Sequence, residues 1–199
     1  MLWRRLRISL ALTGRLARLR ERLAQHQPRV DKDPSLVWAA VAIVLAPDPD
    51  AVLLIRRAER TGDPWSGHMA LPGGRHEPGD SDLLNTAIRE TSEEVGFALR
   101  LQDLAGTLDD VVPRTPVLPP IAVRPFVFTP ATRPPLVLNP EVADARWVQL
   151  DRLLRPESRR RAQVEIHGGR REVEAYHLED AIVWGMTERI LSALAAHLT

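Results

Sequence analysis

The segment Gly73–Phe97, GGRHEPGDSDLLNTAIRETSEEVGF, decides the fold because it joins a glycine turn to a strongly patterned helix. At 100° per residue, one mostly apolar stripe occupies a sector of about 60° and is predicted to face the core. Its members are Leu84, Ile88, Thr91 and Val95. Residues 81–95 are therefore predicted to form a helix, with Asp80 or Ser81 as the N-cap and Gly96 at its end.

Three glutamates, Glu90, Glu93 and Glu94, lie within about 100° on the opposite side of this helix. Carboxylates on one helical face repel one another, which destabilises the helix unless a positive charge lies beside them. Oxygen ligands at this spacing suit Mg²⁺ or Mn²⁺, and a solvated acidic face is the alternative. The Gly73–Gly74 turn allows the backbone to approach a ligand closely. Arg89 is placed either to orient a glutamate or to offset its charge.

The stretch Arg89–Phe97, Arg-Glu-Thr-Ser-Glu-Glu-Val-Gly-Phe, resembles the end of the Nudix box, and Gly74 matches the opening glycine of that box. The box therefore covers residues 74–97. Asp80 stands where the usual box has Glu, and eight rather than seven residues separate it from Arg89. A box of this length is similar to that of the coenzyme A diphosphatase branch of Nudix hydrolases.

This resemblance implies the α+β class, as an α/β/α sandwich around a mixed β-sheet. It implies that Glu90, Glu93, Glu94 and the carbonyl of Gly73 bind Mg²⁺ or Mn²⁺. It also implies catalytic roles for Glu90, Glu93 and Arg89, with a glutamate as the base and the arginine as its orienting partner. Bound metal would clamp a diphosphate and lower the pKa of the attacking water.

The expected substrate is a small nucleotide, a nucleoside diphosphate linked to another moiety, with coenzyme A or its derivatives favoured. Oxidised nucleoside triphosphates, ADP-ribose and dinucleoside polyphosphates are the alternatives within the same chemistry. A non-catalytic Nudix binding module is the alternative from another functional class, although the intact acidic cluster argues against it.

Two segments before the box, Leu53–Ala58 and Gly67–Gly74, resemble the substrate-directing signature of the coenzyme A branch. The middle of that signature departs from the pattern, because Asp63 stands where the branch has Arg. Arg57 and Arg60 lie nearby and are predicted to contact the substrate instead, with exposed surface arginines as the alternative.

Aromatic side chains flank this region. Trp65 is a candidate to stack on an adenine of the substrate, and a loop-anchoring role is the alternative. His68 and His76 are predicted to be structural or exposed rather than catalytic.

Acidic residues beyond the box offer further ligands. Glu141 lies in a stretch that resembles the acidic turn and strand after the box, where it either reaches the metal or pairs locally. Asp109 and Asp110 are predicted to form a turn, and a metal ligand or base is the alternative.

Residues 31–199 read as one domain, preceded within residues 1–30 by a basic amphipathic helix that is expected to pack on it. Contact of this helix with a membrane surface or a partner is the alternative. Strands are predicted at 37–45 and 51–57, where the turn residues Pro47–Asp50 between them indicate a hairpin. Further strands are predicted at 99–108, 120–129, 144–149, 163–166 and 172–177, and a last helix at 180–198.

Composition excludes several functional classes. The chain has 199 residues and no cysteine, so a disulfide scaffold, a thiolate zinc site and a cysteine nucleophile are excluded. The net charge of +1 predicts no general attraction to nucleic acid. No apolar run approaches the length of a transmembrane helix, and the first residues read as mature sequence, so a cytoplasmic location is expected. A homodimer stays open.

Overall fold

The computed structural model describes residues 12–61, 66–113, 120–166 and 169–198. The helices in this part of the chain are α1 (Gly14–Gln25), α2 (Leu83–Val95), α3 (Leu150–Leu153) and α4 (Gly185–Leu198). The strands are β1 (Val37–Ala46), β2 (Ala51–Arg57), β3 (Met69–Ala70), β4 (Gly73–Arg75), β5 (Leu104–Thr107), β6 (Ile121–Phe128), β7 (Val142–Gln149), β8 (Arg159–Ile166), β9 (Gly169–His177) and β10 (Ile182–Trp184).

The main sheet is mixed and runs in the order β3-β2-β1-β6-β5, with β4 paired to β1 and β7 paired to β2. Strands β1 and β2 form the predicted antiparallel hairpin, whereas β1 and β6 run parallel. A separate antiparallel sheet has the order β10-β9-β8. The predicted mixed sheet of an α+β fold is therefore confirmed.

The sheet divides where β4 enters it. Near the hairpin, β1 pairs with β2 through Leu45 and Ala46. Further back, the same edge of β1 pairs with β4 instead, from Ala39 to Val41. A Cβ atom on Gly73 would lie 2.3 Å from the carbonyl oxygen of Ala40, so only glycine fits at this position. This pairing makes Gly73 and Gly74 part of strand β4 rather than the predicted turn, and it places the two glycines next to α2.

Apolar side chains fill both faces of the main sheet, which gives the three layers of an α/β/α sandwich. On one face, Ile43 and Leu45 of β1 belong to a cluster that includes side chains of α1 and α4. On the other face, Ala40, Ala42 and Val44 of β1 pack in a cluster with α2. The alternation along β1 is that of a strand buried on both sides.

Helix α1 lies against the domain through Leu16, Leu19 and Leu23, which are all buried. The side chain of Arg20 holds it further, because the guanidinium donates to the carbonyl oxygens of Asp103 and Leu104, each at 3.1 Å. These bonds tie α1 to β5 at one edge of the main sheet. Of the helices in the described residues, none has the length and hydropathy needed to cross a bilayer.

Several predicted boundaries are wrong. Helix α2 begins at Leu83, and Asp82 caps it by accepting the backbone N–H of Asn85 at 2.8 Å. Neither Asp80 nor Ser81 is the cap, because Asp80 turns its carboxylate toward Arg89. The predicted strand at 99–108 contains a 3₁₀ turn at 101–103, and only β5 is a strand. The predicted last helix begins after β10, which pairs with β9.

The end of α4 contacts the end of the α1 segment through two imidazole rings. The ring centroids of His26 and His197 lie 4.9 Å apart, and Arg22 donates to the carbonyl oxygen of His197 at 3.0 Å. Burial lowers the pKa of His197, and positive charge on His26 and Arg22 lowers it further, while Asp109 opposes this shift. The folded protein therefore resists protonation of His197.

Replacing His197 by Gln should make the fold less sensitive to acid. Below about pH 6.5, the ordinary histidine pKa, His197 in the unfolded chain binds a proton that it resists in the folded protein. The free energy of unfolding of the wild type therefore decreases as the pH is lowered. The variant lacks this difference, and its melting temperature should fall by about 1–2 °C less between about pH 7.5 and about pH 5. Parallel melting profiles for the two proteins would contradict this reading of the contact.

Candidate active site

The carboxylate of Asp80 holds the guanidinium of Arg89 in a bidentate ion pair. Arg89 donates from Nε to Oδ1 at 2.8 Å and from Nη2 to Oδ2 at 3.0 Å. Asp80 also accepts a hydrogen bond from the hydroxyl of Thr86 at 2.9 Å. This pairing holds the pKa of Asp80 well below its usual range and raises that of Arg89. Arg89 therefore has a fixed position beside the acidic helix.

Arg89 extends its other contacts toward two of the predicted glutamates. Its Nη1 donates to Oε2 of Glu93 at 2.9 Å, and its Nη2 lies 3.1 Å from Oε1 of Glu90. The same Nη2 donates to the carbonyl oxygen of Arg75 at 3.3 Å. One guanidinium thus connects the loop before α2, strand β4 and the glutamates of α2.

Glu94 is buried, with only 3% of its surface exposed. Its Oε2 accepts the backbone N–H of Gly73 at 2.9 Å. Burial raises the pKa of Glu94 to about 8; the charges of Glu90 and Glu141 also raise it, while the Gly73 N–H and Arg57 oppose this change. The carboxylate thus lies in a place where a further positive charge would favour its ionised form.

Glu90 lies one helical turn before Glu94 and contacts Gly74, the second glycine of β4. A Cβ atom on Gly74 would lie 2.2 Å from Oε1 of Glu90, so the carboxylate occupies the space that a side chain would need. Burial raises the pKa of Glu90, and Arg89 opposes this effect. The two glycines therefore let β4 approach both carboxylates.

Glu93 differs from the other two glutamates because its side chain is 55% exposed. The expectation of one outward acidic face is therefore wrong. Glu90 and Glu94 point toward Gly74 and Gly73 of β4, and Glu93 points outward to pair with Arg89.

The predicted substrate-binding arginines lie on the β2 side of these carboxylates. Arg57, the last residue of β2, is near enough to Glu94 for its charge to lower the pKa of that carboxyl. Arg60 donates from Nη2 to Oε1 of Glu141 at 2.9 Å, and both side chains are half exposed. Glu141 thus pairs with an arginine that is distant in the chain rather than with a local partner, and its charge acts on Glu94. The predictions for Asp63 and Trp65 fall outside the described residues.

Asp109 and Asp110 take part in ion pairs distributed along the chain rather than forming a simple turn. Asp109 accepts the backbone N–H of Arg29 at 3.0 Å and the Nε of the same residue at 2.6 Å. Asp110 holds Arg124 through two hydrogen bonds of 2.8 and 2.9 Å. Their carboxylates are thus used to fasten the segment after α1 and strand β6.

The two histidines near the box have structural contacts. The ring of His68 lies against that of Trp184, with centroids 4.7 Å apart. Nδ1 of His76 lies 2.9 Å from the hydroxyl of Thr86. These contacts agree with the structural roles predicted for both residues.

The donor set of Glu90, Glu94 and the Gly73 carbonyl fits a hard divalent cation. All three offer oxygen, which Mg²⁺ and Mn²⁺ prefer, and the two carboxylates, one buried and one partly buried, would be compensated by a cation. Within the described residues no three acidic or histidine side chains are gathered as a ready-made cage. Such an arrangement suits Mg²⁺, which usually takes one or two carboxylates and keeps water or phosphate oxygens as its other ligands.

Sequence reasoning missed the part played by Asp80 and Thr86 in holding Arg89. The signal was present, because an acidic residue precedes Arg89 within the box resemblance. Helical periodicity could not reveal the contact, since Asp80 lies in the loop before α2.

Comparison with known proteins gives a consistent family. Residues 36–166 match the model of the NUDIX domain. The chain is 42% identical to an uncharacterized protein of Schizosaccharomyces pombe, over 72% of this chain and 50% of that protein. It is 32% identical to a mitochondrial coenzyme A diphosphatase of Mus musculus, over 49% of this chain and 46% of that protein. The chain thus spans about half the length of these two relatives.

Among solved structures, the chain is similar to a MutT/nudix family protein from Enterococcus faecalis. The TM-score is 0.59 at 20% identity, and the match covers 92% of this chain and 73% of that one. At this identity the likeness shows the fold.

Replacing Asp80 by Asn should destabilise the protein, because the change leaves the guanidinium of Arg89 without its bidentate partner. We expect a loss of about 2–3 kcal/mol in the free energy of unfolding, measured by urea denaturation. Asp82→Asn is the matched control, because an asparagine at the N-cap still accepts the Asn85 N–H. Equal stability of the two variants would contradict the assigned role of Asp80.

Proposed function

Because the chain belongs to the Nudix family, we propose that it is a divalent-metal-dependent hydrolase of a diphosphate bond. The substrate class is a nucleoside diphosphate linked to another moiety. The observation that carries this proposal is the pair of carboxylates held against Gly73 and Gly74, with Glu94 buried and Glu90 partly buried. A purely structural helix would gain stability from apolar side chains at these positions.

The chain's own groups have distinct tasks in this proposal. Glu90, Glu94 and the Gly73 carbonyl would hold Mg²⁺ or Mn²⁺. Bound metal would supply neutralisation of the diphosphate charge and a lower pKa for the attacking water. Asp80 fixes Arg89, which in turn fixes Glu90 and Glu93.

The proton of the attacking water needs an acceptor among the glutamates. Glu93 is the first candidate, because its side chain is the more exposed and Arg89 donates to its Oε2 rather than its Oε1. Glu90 is the second candidate, because its carboxylate lies beside Gly74 and one helical turn from Glu94. Arg57 places positive charge near Glu94, where it would attract a substrate phosphate.

We propose coenzyme A or a derivative as the substrate. The length of the box with Asp80 supports this choice, as does the likeness to the coenzyme A diphosphatase of Mus musculus. One observation favours ADP-ribose or another linked nucleotide: Arg60, a candidate to replace the missing arginine, is paired with Glu141.

A substrate panel tests the proposal. Coenzyme A, ADP-ribose, an oxidised dGTP and a dinucleoside polyphosphate should be supplied with Mg²⁺ or Mn²⁺ and again in excess chelator. From coenzyme A we expect adenosine 3′,5′-bisphosphate and a 4′-phosphopantetheine product, identified by mass spectrometry. We expect no turnover of any substrate in excess chelator. A kcat/KM higher for another nucleotide by about tenfold, equal to about 1.4 kcal/mol, would select that substrate. Full turnover in chelator would reject metal dependence.

Replacing Glu94 by Gln separates catalysis from folding. Gln keeps an oxygen to accept the Gly73 N–H but removes one charged ligand, so kcat should fall by about two orders of magnitude, or roughly 3 kcal/mol. The melting temperature without metal should be unchanged or slightly higher, because the change removes a buried carboxyl that is repelled by Glu90.

Asp82→Asn is again the control for this measurement. It also removes one carboxylate, but about 12 Å along the helix from Glu90, and should change kcat by less than about threefold. A Glu94→Gln enzyme with near-normal turnover at saturating metal would end the ligand assignment. A variant that loses turnover only because it unfolds would make this glutamate structural.

A further inference from the structure

Strand β8 forms one edge of the smaller sheet, whose order is β10-β9-β8. Its 8 residues pair with β9 without a break, from Arg159 opposite Tyr176 to Ile166 opposite Gly169. Among the described residues, no strand pairs with the outer side of β8, so its outward backbone groups have no partners within a sheet. Strands β5 and β7 also have one neighbour each, but both pair through a register shift. Strand β8 is thus a long and regular edge on which another strand fits.

The protection of this edge lies in its charges. Prolines, bulges and short length usually keep an exposed edge from pairing, and β8 has none of these three features. It carries instead three arginines, Arg159 to Arg161, and the acidic Glu165, all exposed. Like charges placed opposite each other repel, and unlike charges attract, so this pattern selects which strand the edge accepts.

The pattern of β8 is complementary to a second copy of itself. Directly opposite residues of an antiparallel pair have their side chains on the same face. If Gln163 lies opposite its own copy, Arg161 lies opposite Glu165, and Ala162 lies opposite Val164. Two-fold symmetry repeats each of these contacts, with unlike charges on one face and apolar side chains on the other. A shift of two residues in either direction separates Arg161 from Glu165.

The two charged side chains of this register are accessible. The side chain of Arg161 is 70% exposed, although it pairs within the sheet with Glu172 at 2.9 Å and Glu174 at 3.5 Å. A guanidinium has five N–H donors, so Arg161 can bind a further carboxylate. Glu165 is exposed and makes no ion pair within the part of the chain that the structure describes. An opposing copy would supply that carboxylate with an arginine.

We infer that β8 pairs with β8 of a second copy, antiparallel and centred on Gln163, so that one sheet continues across a symmetric homodimer. One pair of strands buries much less than the roughly 800 Å² on each partner of a stable interface, so the dimer is weak and depends on concentration. The inference does not depend on the proposed function, because this edge holds none of the residues placed in the active site.

The chain contains no cysteine, so one introduced cysteine reports the register. In a dimer of Gln163→Cys, the two thiols lie on opposite residues whose Cα atoms are about 4.5–5.5 Å apart, within reach of a disulfide. In the control Arg160→Cys, they lie about 20 Å apart along the strands. Mild oxidation should link most of Gln163→Cys into dimers on a non-reducing gel and leave Arg160→Cys mainly monomeric. Equal linking of the two variants, or none in either, would contradict the inference.

Charge reversal tests the attraction by sedimentation equilibrium of the full chain. The wild type should pass from monomer to dimer between about 10 and 500 µM. Arg161→Glu and Glu165→Arg should each raise Kd by about tenfold or more, because like charges then meet twice. An equimolar mixture of the two should dimerise again, since unlike charges then meet at both contacts while the effects within each chain are unchanged.

Glu172→Arg is the matched control for this series. It breaks the ion pair of Arg161 within the sheet but lies on β9, away from the edge, and should change Kd by less than about threefold. A wild type that stays monomeric throughout, or a mixture no more dimeric than its components, would overturn the inference and leave the proposed function standing. If a reversed variant does not fold, the cysteine variants decide.

Discussion

The close approach of Gly73 and Gly74 in β4 to their neighbours is the constraint on which the site depends. On one side, Gly73 pairs with β1 so tightly that a Cβ atom would collide with the carbonyl of Ala40. On the other side, its N–H holds Glu94, and Gly74 leaves room for Glu90. A side chain at either position would separate β4 from β1 or from α2. The two glycines therefore set the distance between β4 and the acidic helix, and through it the placement of the buried Glu94 and the partly buried Glu90.

Much of the fold could be predicted because its signals are local. The apolar runs of β1 and β2 with the Pro47–Asp50 turn between them predict a hairpin, and Gly96 ends α2 with φ of 67° as its position indicated. Boundaries failed where a side chain chose a distant partner. Asp80 resembles an N-cap in sequence, yet its carboxylate binds Arg89, and the cap passes to Asp82. Two acidic residues so close together offer the same local chemistry, so only tertiary contacts distinguish them.

The division of the three glutamates was not predictable from helical periodicity. The helical wheel gives the angles between Glu90, Glu93 and Glu94, but it does not say which sector meets the sheet. The wheel assigned only the apolar stripe to the core. The structure instead turns Glu94 inward and leaves Glu93 in solvent. Strand β4 supplies a backbone N–H that donates to Glu94 and offsets part of the free energy cost of burying its carboxylate. That donor lies about twenty residues earlier in the chain, outside any helical pattern.

Helix α2 thus has two different environments, one in its middle and one at its C-terminal end. Its middle is held by the ion pairs of Arg89. The partner of this arginine, Asp80, is itself held by a hydrogen bond from the hydroxyl of Thr86. Its end carries Glu94, a buried carboxyl whose charged form is disfavoured in the protein alone, next to carbonyl groups that fasten the segment with Val137. Burying a carboxyl here weakens the fold, and the neighbouring ion pairs give the helix the rigidity to tolerate it. A buried carboxyl that lowers the stability of the fold, placed beside two glycines of β4, is what a cation-binding site requires and what a simple packing helix would avoid.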